Sequence, residues 1–183
     1  MNPRTAAPHL YATVNLWFFC VAGVAFAADQ VSKRLIESQL TNFSPAIPVV
    51  WHWLEILRTQ NSGAAFSLLQ SGGVLFGIVA VIVSGAILIL APVLPTHERL
   101  LRVSLGLILG GAVGNLIDRV RQGYVTDWIH FQIPEIGFDF PVWNVADGCV
   151  VIGVILMIIL NIISDRRRKP PDIFDEHDKS PSV

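Results

Sequence analysis

Asp147-Gly148-Cys149-Val150-Val151-Ile152-Gly153-Val154-Ile155-Leu156 sets a carboxylate at the mouth of an apolar run that meets no further charge until Asp165. A helix needs roughly 20 apolar residues to cross a bilayer, and the stretch 145–163 supplies nearly that many. A carboxylate at the edge of such a span is costly and is usually kept for a function. The stretch therefore predicts a membrane helix and a polar site at its end. Asp118 and Asp127 are among the acidic residues that fall between this run and the apolar run before it.

Composition supports the same class. Hydrophobic residues are 52% and charged residues 15% of the 183 positions, with a net charge of −1 and a mean hydropathy of +0.56. Soluble domains carry about 25% charged residues. No basic surface points to nucleic acid as a partner. Cys20 and Cys149 sit in apolar runs, where a thiol packs as a small hydrophobe rather than pairing or binding metal.

Four runs have the length and apolarity of spans, at about 10–28, 72–94, 100–117 and 145–163. The expected fold class is an all-α membrane protein of four transmembrane helices with a small extracytoplasmic β-sheet and loop cap. The short turn Pro95-Thr96-His97-Glu98-Arg99 makes the second and third spans a helical hairpin. Four spans put both termini on one side, and Arg166-Arg167-Arg168-Lys169 with Arg4, Arg99 and Arg102 marks it as cytoplasmic. Lys33, Arg34, Arg58, Arg119 and Arg121 on the other face narrow that margin. Arg4, the first run and Ala25-Phe26-Ala27 also resemble a cleavable secretory signal. Its removal would leave three spans and carry the basic tail outside, so retention is expected.

The segments between spans are more than linkers. Pro48 to Leu57 is rich in β-branched and aromatic residues and leads to the turn-prone Asn61-Ser62-Gly63, which predicts sheet. Trp51 and Trp53 also suit an interfacial belt. His130 to Val142, with Pro134, Gly137 and Pro141, reads as a second extended hairpin or loop. The expected organisation is one membrane domain, 1–165, and a disordered, charged and proline-rich cytoplasmic tail, 166–183.

In the third span Gly106, Gly110 and Gly114 recur every four residues, which lines one face with small side chains for close helix packing. Packing within a monomer is the expected use. Asn115, Asp118 and Arg119 follow at helical spacing, so a polar group caps a tight seam.

The remaining residue types narrow the chemistry. The five histidines, His9, His52, His97, His130 and His177, contain no i, i+4 pair for a metal. Ser32 and Lys33 are adjacent, and adjacent helical residues point apart, which disfavours a serine–lysine pair. Carboxylates are left. Two brought together share a proton, so that one takes a proton from water while the other donates to a substrate carbonyl, without a cofactor or metal.

Five blocks in order then resemble the bacterial lipoprotein signal peptidase family, signal peptidase II. They are Asp29-Gln30-Val31-Ser32-Lys33, Asn61-Ser62-Gly63-Ala64-Ala65-Phe66-Ser67, Gly110 to Arg119, Val125-Thr126-Asp127-Trp128-Ile129, and Trp143-Asn144-Val145-Ala146-Asp147. Ser32 stands where the family more often has Thr, Trp128 and Trp143 where it commonly has Phe, and Gly148 where it commonly has Ser. The resemblance implies an aspartic endopeptidase of the bacterial inner membrane, with its active site at the outer, periplasmic face. It would cut signal peptides from prolipoproteins just before a cysteine carrying diacylglycerol, with membrane lipid around it and globomycin-type inhibitors binding it. In that family Asp127 and Asp147 correspond to the catalytic pair. Asp29, Lys33, Asn61, Gly63, Asn115, Asp118, Arg119 and Asn144 correspond to substrate-binding or pair-supporting positions.

Blander readings exist for several of these. Asp118 beside Arg119 suits an interfacial ion pair, Asp29 a membrane boundary, and Asn61 with Gly63 a plain turn. A proton-coupled transporter would need polar residues continuing through the bilayer. None appears in 150–160, and only Ser84 does in 75–91.

Overall fold

A computed structural model of the chain describes residues 8–63, 72–91 and 99–168. Arg4, the second block from Ala64 to Ser67, the turn at 95–98 and the tail from Lys169 onward lie outside the described residues. The elements run in the order α1 (Pro8–Gln39), β1 (Ile47–Val50), β2 (Leu54–Asn61), α2 (Gly72–Leu90), α3 (Arg99–Gln122), β3 (Val125–Ile133), a 3₁₀ turn (Pro134–Ile136), β4 (Phe138–Trp143) and α4 (Val145–Arg168).

The protein is mostly helical with one small antiparallel sheet. Among the described residues α2, α3 and α4 are the three helices long and apolar enough to cross a membrane. Helix α1 has 32 residues and outruns the expected 10–28 run by more than two turns at its C-terminal end. Asp29 and Lys33 therefore sit inside a helix rather than at its end. Helix α3 likewise continues past 117, which makes Asp118 and Arg119 part of its last turns. Helix α4 extends to Arg168, three residues into the stretch expected to be tail.

Helix α3 is the centre of the bundle, and small residues let its neighbours approach. A Cβ at Gly110 would lie 2.5 Å from the Ala22 carbonyl oxygen of α1, and one at Gly106 would lie 2.9 Å from that of Phe18. On the adjoining face a Cβ at Gly111 would strike the Ala146 carbonyl of α4. The glycine seam thus packs α3 against α1 within one chain. Contacts from Phe18 near Gly106 to Asp29 near Gly114 run α1 parallel to α3. Ala91 receives a hydrogen bond from Arg102 while Gly77 lies near Leu116, so α2 runs antiparallel to α3. Phe18, Ala22, Ile87, Ala91, Ile108 and Leu109 form the apolar core where α1, α2 and α3 meet. The outward faces remain apolar, with Val81, Ile82 and Ile89 on α2 and Ile152, Ile155 and Ile159 on α4 exposed. That is how a helix facing lipid looks.

The four strands pair in sequence order, β1-β2-β3-β4. Side chains alternate between faces along a strand, and Asp127, Ile129, Phe131 and Ile133 share one face of β3. Phe131 pairs with Phe140 of β4 and Leu54 of β2 in the same register. The turn between β1 and β2 carries the tryptophans, Trp51 at a φ of 51°. His52 and Trp53 both contact Glu135 of the 3₁₀ turn, at 2.5 and 3.2 Å, tying the β1–β2 turn to the β3–β4 turn.

Candidate active site

Asp147 owes its position to the start of α4. Asn144 precedes the helix, and its Oδ1 accepts the backbone N–H of Asp147 at 3.0 Å. In return Asp147 Oδ2 accepts the backbone N–H of Asn144 at 3.3 Å. This is a reciprocal capping box with Asn and Asp in place of Ser and Glu. The next free N–H of that helix end, on Ala146, donates to Asp29 Oδ1 at 3.0 Å. Helix N-termini attract negative charge, and two carboxylates occupy this one.

Asp127 comes from β3 and faces the same asparagine. Asn144 Nδ2 donates to Asp127 Oδ1 at 2.5 Å and to Asn115 Oδ1 at 3.2 Å. Asn61 Nδ2 holds the other oxygen, Asp127 Oδ2, at 2.9 Å. The Asn61 amide is itself oriented by a turn, because its Oδ1 accepts the Gly63 N–H at 2.9 Å. Gly63 has a φ of 88°, a conformation that glycine adopts without strain. The turn reading and the site reading of Asn61 and Gly63 are thus one geometry.

A second polar layer lies behind the pair. Lys33 Nζ lies 2.8 Å from Asp29 Oδ2 and 2.7 Å from Asp118 Oδ2. It also donates to Asn115 Oδ1 at 2.8 Å, and Asn115 Nδ2 donates to Asp147 Oδ1 at 2.7 Å. Gln30 Nε2 bridges Asp29 and Asp118 at 3.2 and 3.0 Å. Asp29, Lys33, Asp118, Asp127 and Asn144 are all between 0% and 3% exposed. Buried charges are tolerated when paired and hydrogen-bonded, and one lysine serves two carboxylates here.

Adjacency does not make Asp118 the partner of Arg119. Asp118 turns to Lys33 and Gln30 on α1, while Arg119 donates to the Asn115 carbonyl at 3.3 Å and stacks over the Phe76 ring at 5.7 Å. The three polar residues at the end of α3 therefore diverge, with Asn115 aimed at Asp147, Asp118 at α1 and Arg119 at α2. Arg119 lines a cavity of about 400 Å³ between α2, α3 and α4, together with Phe76, Val83, Ala112, Asn115 and Asp147. A second cavity, of about 450 Å³, lies on the far side of Asp147 along Phe140, Trp143, Gly148 and Ile152.

Burial pushes the Asp127 carboxyl up to about 6; the Asn61 hydrogen bond opposes the rise and the charge of Asp147 adds to it. A carboxyl group poised near neutrality beside a second one is suited to holding and releasing a proton. The side chains of Asp29, Lys33, Asn61, Asn115, Asp118, Asp127, Asn144 and Asp147 meet in this network, with Gly63 holding Asn61, whereas Arg119 turns to α2 and touches it only through the Asn115 carbonyl. Gln30 stood in the first sequence block without a role, and its amide joins the two rear carboxylates. Glu37 and Thr126 had no role in the sequence reading, though Glu37 continues the i, i+4, i+8 series from Asp29 and Lys33.

Two carboxylates held on one asparagine suit acid and base work, and together with the apolar helices they point to the class of membrane-embedded aspartic hydrolases. Residues 21–163 match the family model for signal peptidase (SPase) II, and the chain belongs to that family. It is 42% identical over 142 residues to the lipoprotein signal peptidase of Moorella thermoacetica, covering 76% of this chain and 89% of that one. Two solved structures described as bacterial membrane enzymes obtained by the in meso method share the fold. One is 31% identical with a TM-score of 0.74, over 85% of this chain and 93% of that one. The other is 33% identical with a TM-score of 0.71, over 79% and 92%. As a member of the family the chain is an aspartic endopeptidase that cleaves signal peptides from prolipoproteins.

Proposed function

We propose that Asp127 and Asp147 are the catalytic pair of this peptidase. The observation that carries the reading is their common attachment to Asn144, whose side chain donates to Asp127 and whose backbone N–H donates to Asp147. In the working state one carboxylate takes a proton from a water molecule while the other, protonated, donates to the scissile carbonyl. When the tetrahedral intermediate collapses, the proton passes to the leaving nitrogen. Asn61, Gly63, Asn115 and Asn144 fix the pair. Asp29, Lys33 and Asp118 hold the helices that carry it, and Arg119 faces the substrate cavity.

The substrate is a prolipoprotein cut just before its diacylglyceryl-modified cysteine. An apolar cavity that reaches Asp147 between α2, α3 and α4 suits a lipid-linked residue next to the cleaved bond. Globomycin-type inhibitors would occupy the same space, and the working unit is a monomer.

In the bacterial inner membrane the chain spans four times, with α1 as the first span. Both termini are cytoplasmic, and the sheet and the pair lie at the outer face. The parallel course of α1 and α3 against α2 supports alternating spans, and the Arg166 to Lys169 cluster supports the orientation.

Purified variants in detergent test the chemistry, with cleavage of a diacylglyceryl-modified prolipoprotein and binding of uncut substrate followed together. Asp127→Asn and Asp147→Asn should bind without turnover; substantial cleavage by either would sink the pair. Reporter fusions after Lys169 and within 44–62 should report opposite sides of the membrane.

A further inference from the structure

Glu37 sits two helical turns beyond Asp29 on α1, on the stripe that also carries Lys33. Each member of that stripe reaches a different part of the site. Asp29 holds the Ala146 N–H of α4, Lys33 holds Asn115 of α3, and Glu37 Oε1 accepts the Thr126 hydroxyl of β3 at 2.5 Å.

Thr126 is 0% exposed and immediately precedes Asp127. Side chains alternate along a strand, so Thr126 points away from the pair while Asp127 points into it. A tie on the Thr126 hydroxyl therefore holds the Asp127 backbone from behind. The sheet alone gives weaker support at this point, because the β2–β3 register shifts between Ile56 and Thr59, next to the Thr59–Asp127 pair. The tie is itself anchored. Gln122 Nε2 donates to Thr126 Oγ1 and to the Tyr124 carbonyl, both at 3.3 Å. Arg58 of β2 donates to the Glu37 and Leu40 carbonyls at 3.3 and 2.9 Å, fastening the end of α1 to the sheet.

We propose that Glu37 is a positioning residue for catalysis, seating Asp127 through the Thr126 hydroxyl. The proposal rests on Asp127 being catalytic. Removing the carboxylate leaves a buried hydroxyl without its acceptor and frees the strand to shift. A misplacement of about 1 Å costs on the order of a hundredfold in rate when geometry governs the step.

The test measures kcat and KM on the diacylglyceryl-modified prolipoprotein, with thermal unfolding of each purified variant alongside. Glu37→Ala should lower kcat by about tenfold or more while KM stays within about twofold. Glu37→Gln keeps an oxygen that accepts the hydroxyl and should restore most of the rate. Thr126→Val should reproduce Glu37→Ala, Thr126→Ser should behave as the unaltered protein, and Glu37→Ala with Thr126→Val should be no slower than either alone. Unaltered kcat in Glu37→Ala would overturn the proposal, as would a Gln variant as slow as the Ala variant. A loss of rate that merely follows the loss of folded protein would also overturn it. Asp127→Asn in the same assay separates the two readings. If it cleaves, the catalytic assignment fails; if it is inert while Glu37→Ala is normal, only the role of Glu37 fails.

Discussion

Asn144 and Asp147 cap one another at the start of α4, each accepting the other's backbone N–H, at 3.0 and 3.3 Å. The side-chain amide nitrogen of Asn144 is then left to donate to Asp127 and to Asn115 Oδ1. A helix start and a site are therefore one structure, and the two roles of Asn144 can be separated.

Asn144→Ser should keep the cap, since a serine hydroxyl accepts the same helical N–H, but it removes the buried side-chain donors to Asp127 and Asn115, so stability should fall by about 1–3 kcal/mol through those lost bonds rather than through the helix start. Serine cannot reach Asp127. A hydrogen bond to a charged group is worth about 1.5–3 kcal/mol, so turnover should fall roughly ten- to a hundredfold. Thermal unfolding and cleavage rates on one preparation check both halves.

The Asn61 N–H stabilises the ionised form of Asp127, whose carboxyl already stands at about 6. Asn61→Ala removes that donor, so the group should titrate higher. The limb of the pH profile of kcat/KM that Asp127 governs should move to higher pH by about one unit. A limb that stays in place, or moves down, assigns the titration to another group.

Lys33 is the sole cation in contact with both Asp29 and Asp118 among the described residues. Lys33→Met should leave two buried carboxylates uncompensated and destabilise by about 3–5 kcal/mol. Asp118→Asn keeps the Lys33–Asp29 pair and should cost less, with cleavage slowed but present. Abolished cleavage in a folded Asp118→Asn variant would move the catalytic assignment to Asp118.

Two glycines should respond in opposite directions to alanine. A Cβ at Gly114 would lie 2.5 Å from Asp29 Oδ2, whereas one at Gly85 of α2 meets nothing within 4 Å. Gly114→Ala should destabilise by about 1–3 kcal/mol and slow cleavage by displacing Asp29 from α4. Gly85→Ala should raise stability by up to about 1 kcal/mol through helix propensity and leave turnover unchanged. Unfolding midpoints in a single detergent decide the comparison.

Apolar runs, the glycine period and the polar blocks were legible in the chain, because each is written in local composition and spacing. A helix that meets lipid must be apolar along its length, and a close helix seam must use small residues; both leave a pattern that needs no partner to be read. The sheet was legible for a similar reason, from its β-branched and aromatic strands. The partnerships were not. Asp118 is adjacent to Arg119 in the chain yet pairs with Lys33, because helix packing aims it at α1 and Arg119 at α2. The length of α1 was hidden as well, since its apolar run stops near Ala28 while the helix continues on polar residues buried against α3 and β3. Only that packing gives Asp29, Lys33 and Glu37 a common stripe facing three elements of the site. Local sequence determined which residues are polar in an apolar chain; which of them touch was decided by tertiary structure, because hydrogen bonds and ion pairs depend on distances that only the packed helices and sheet set.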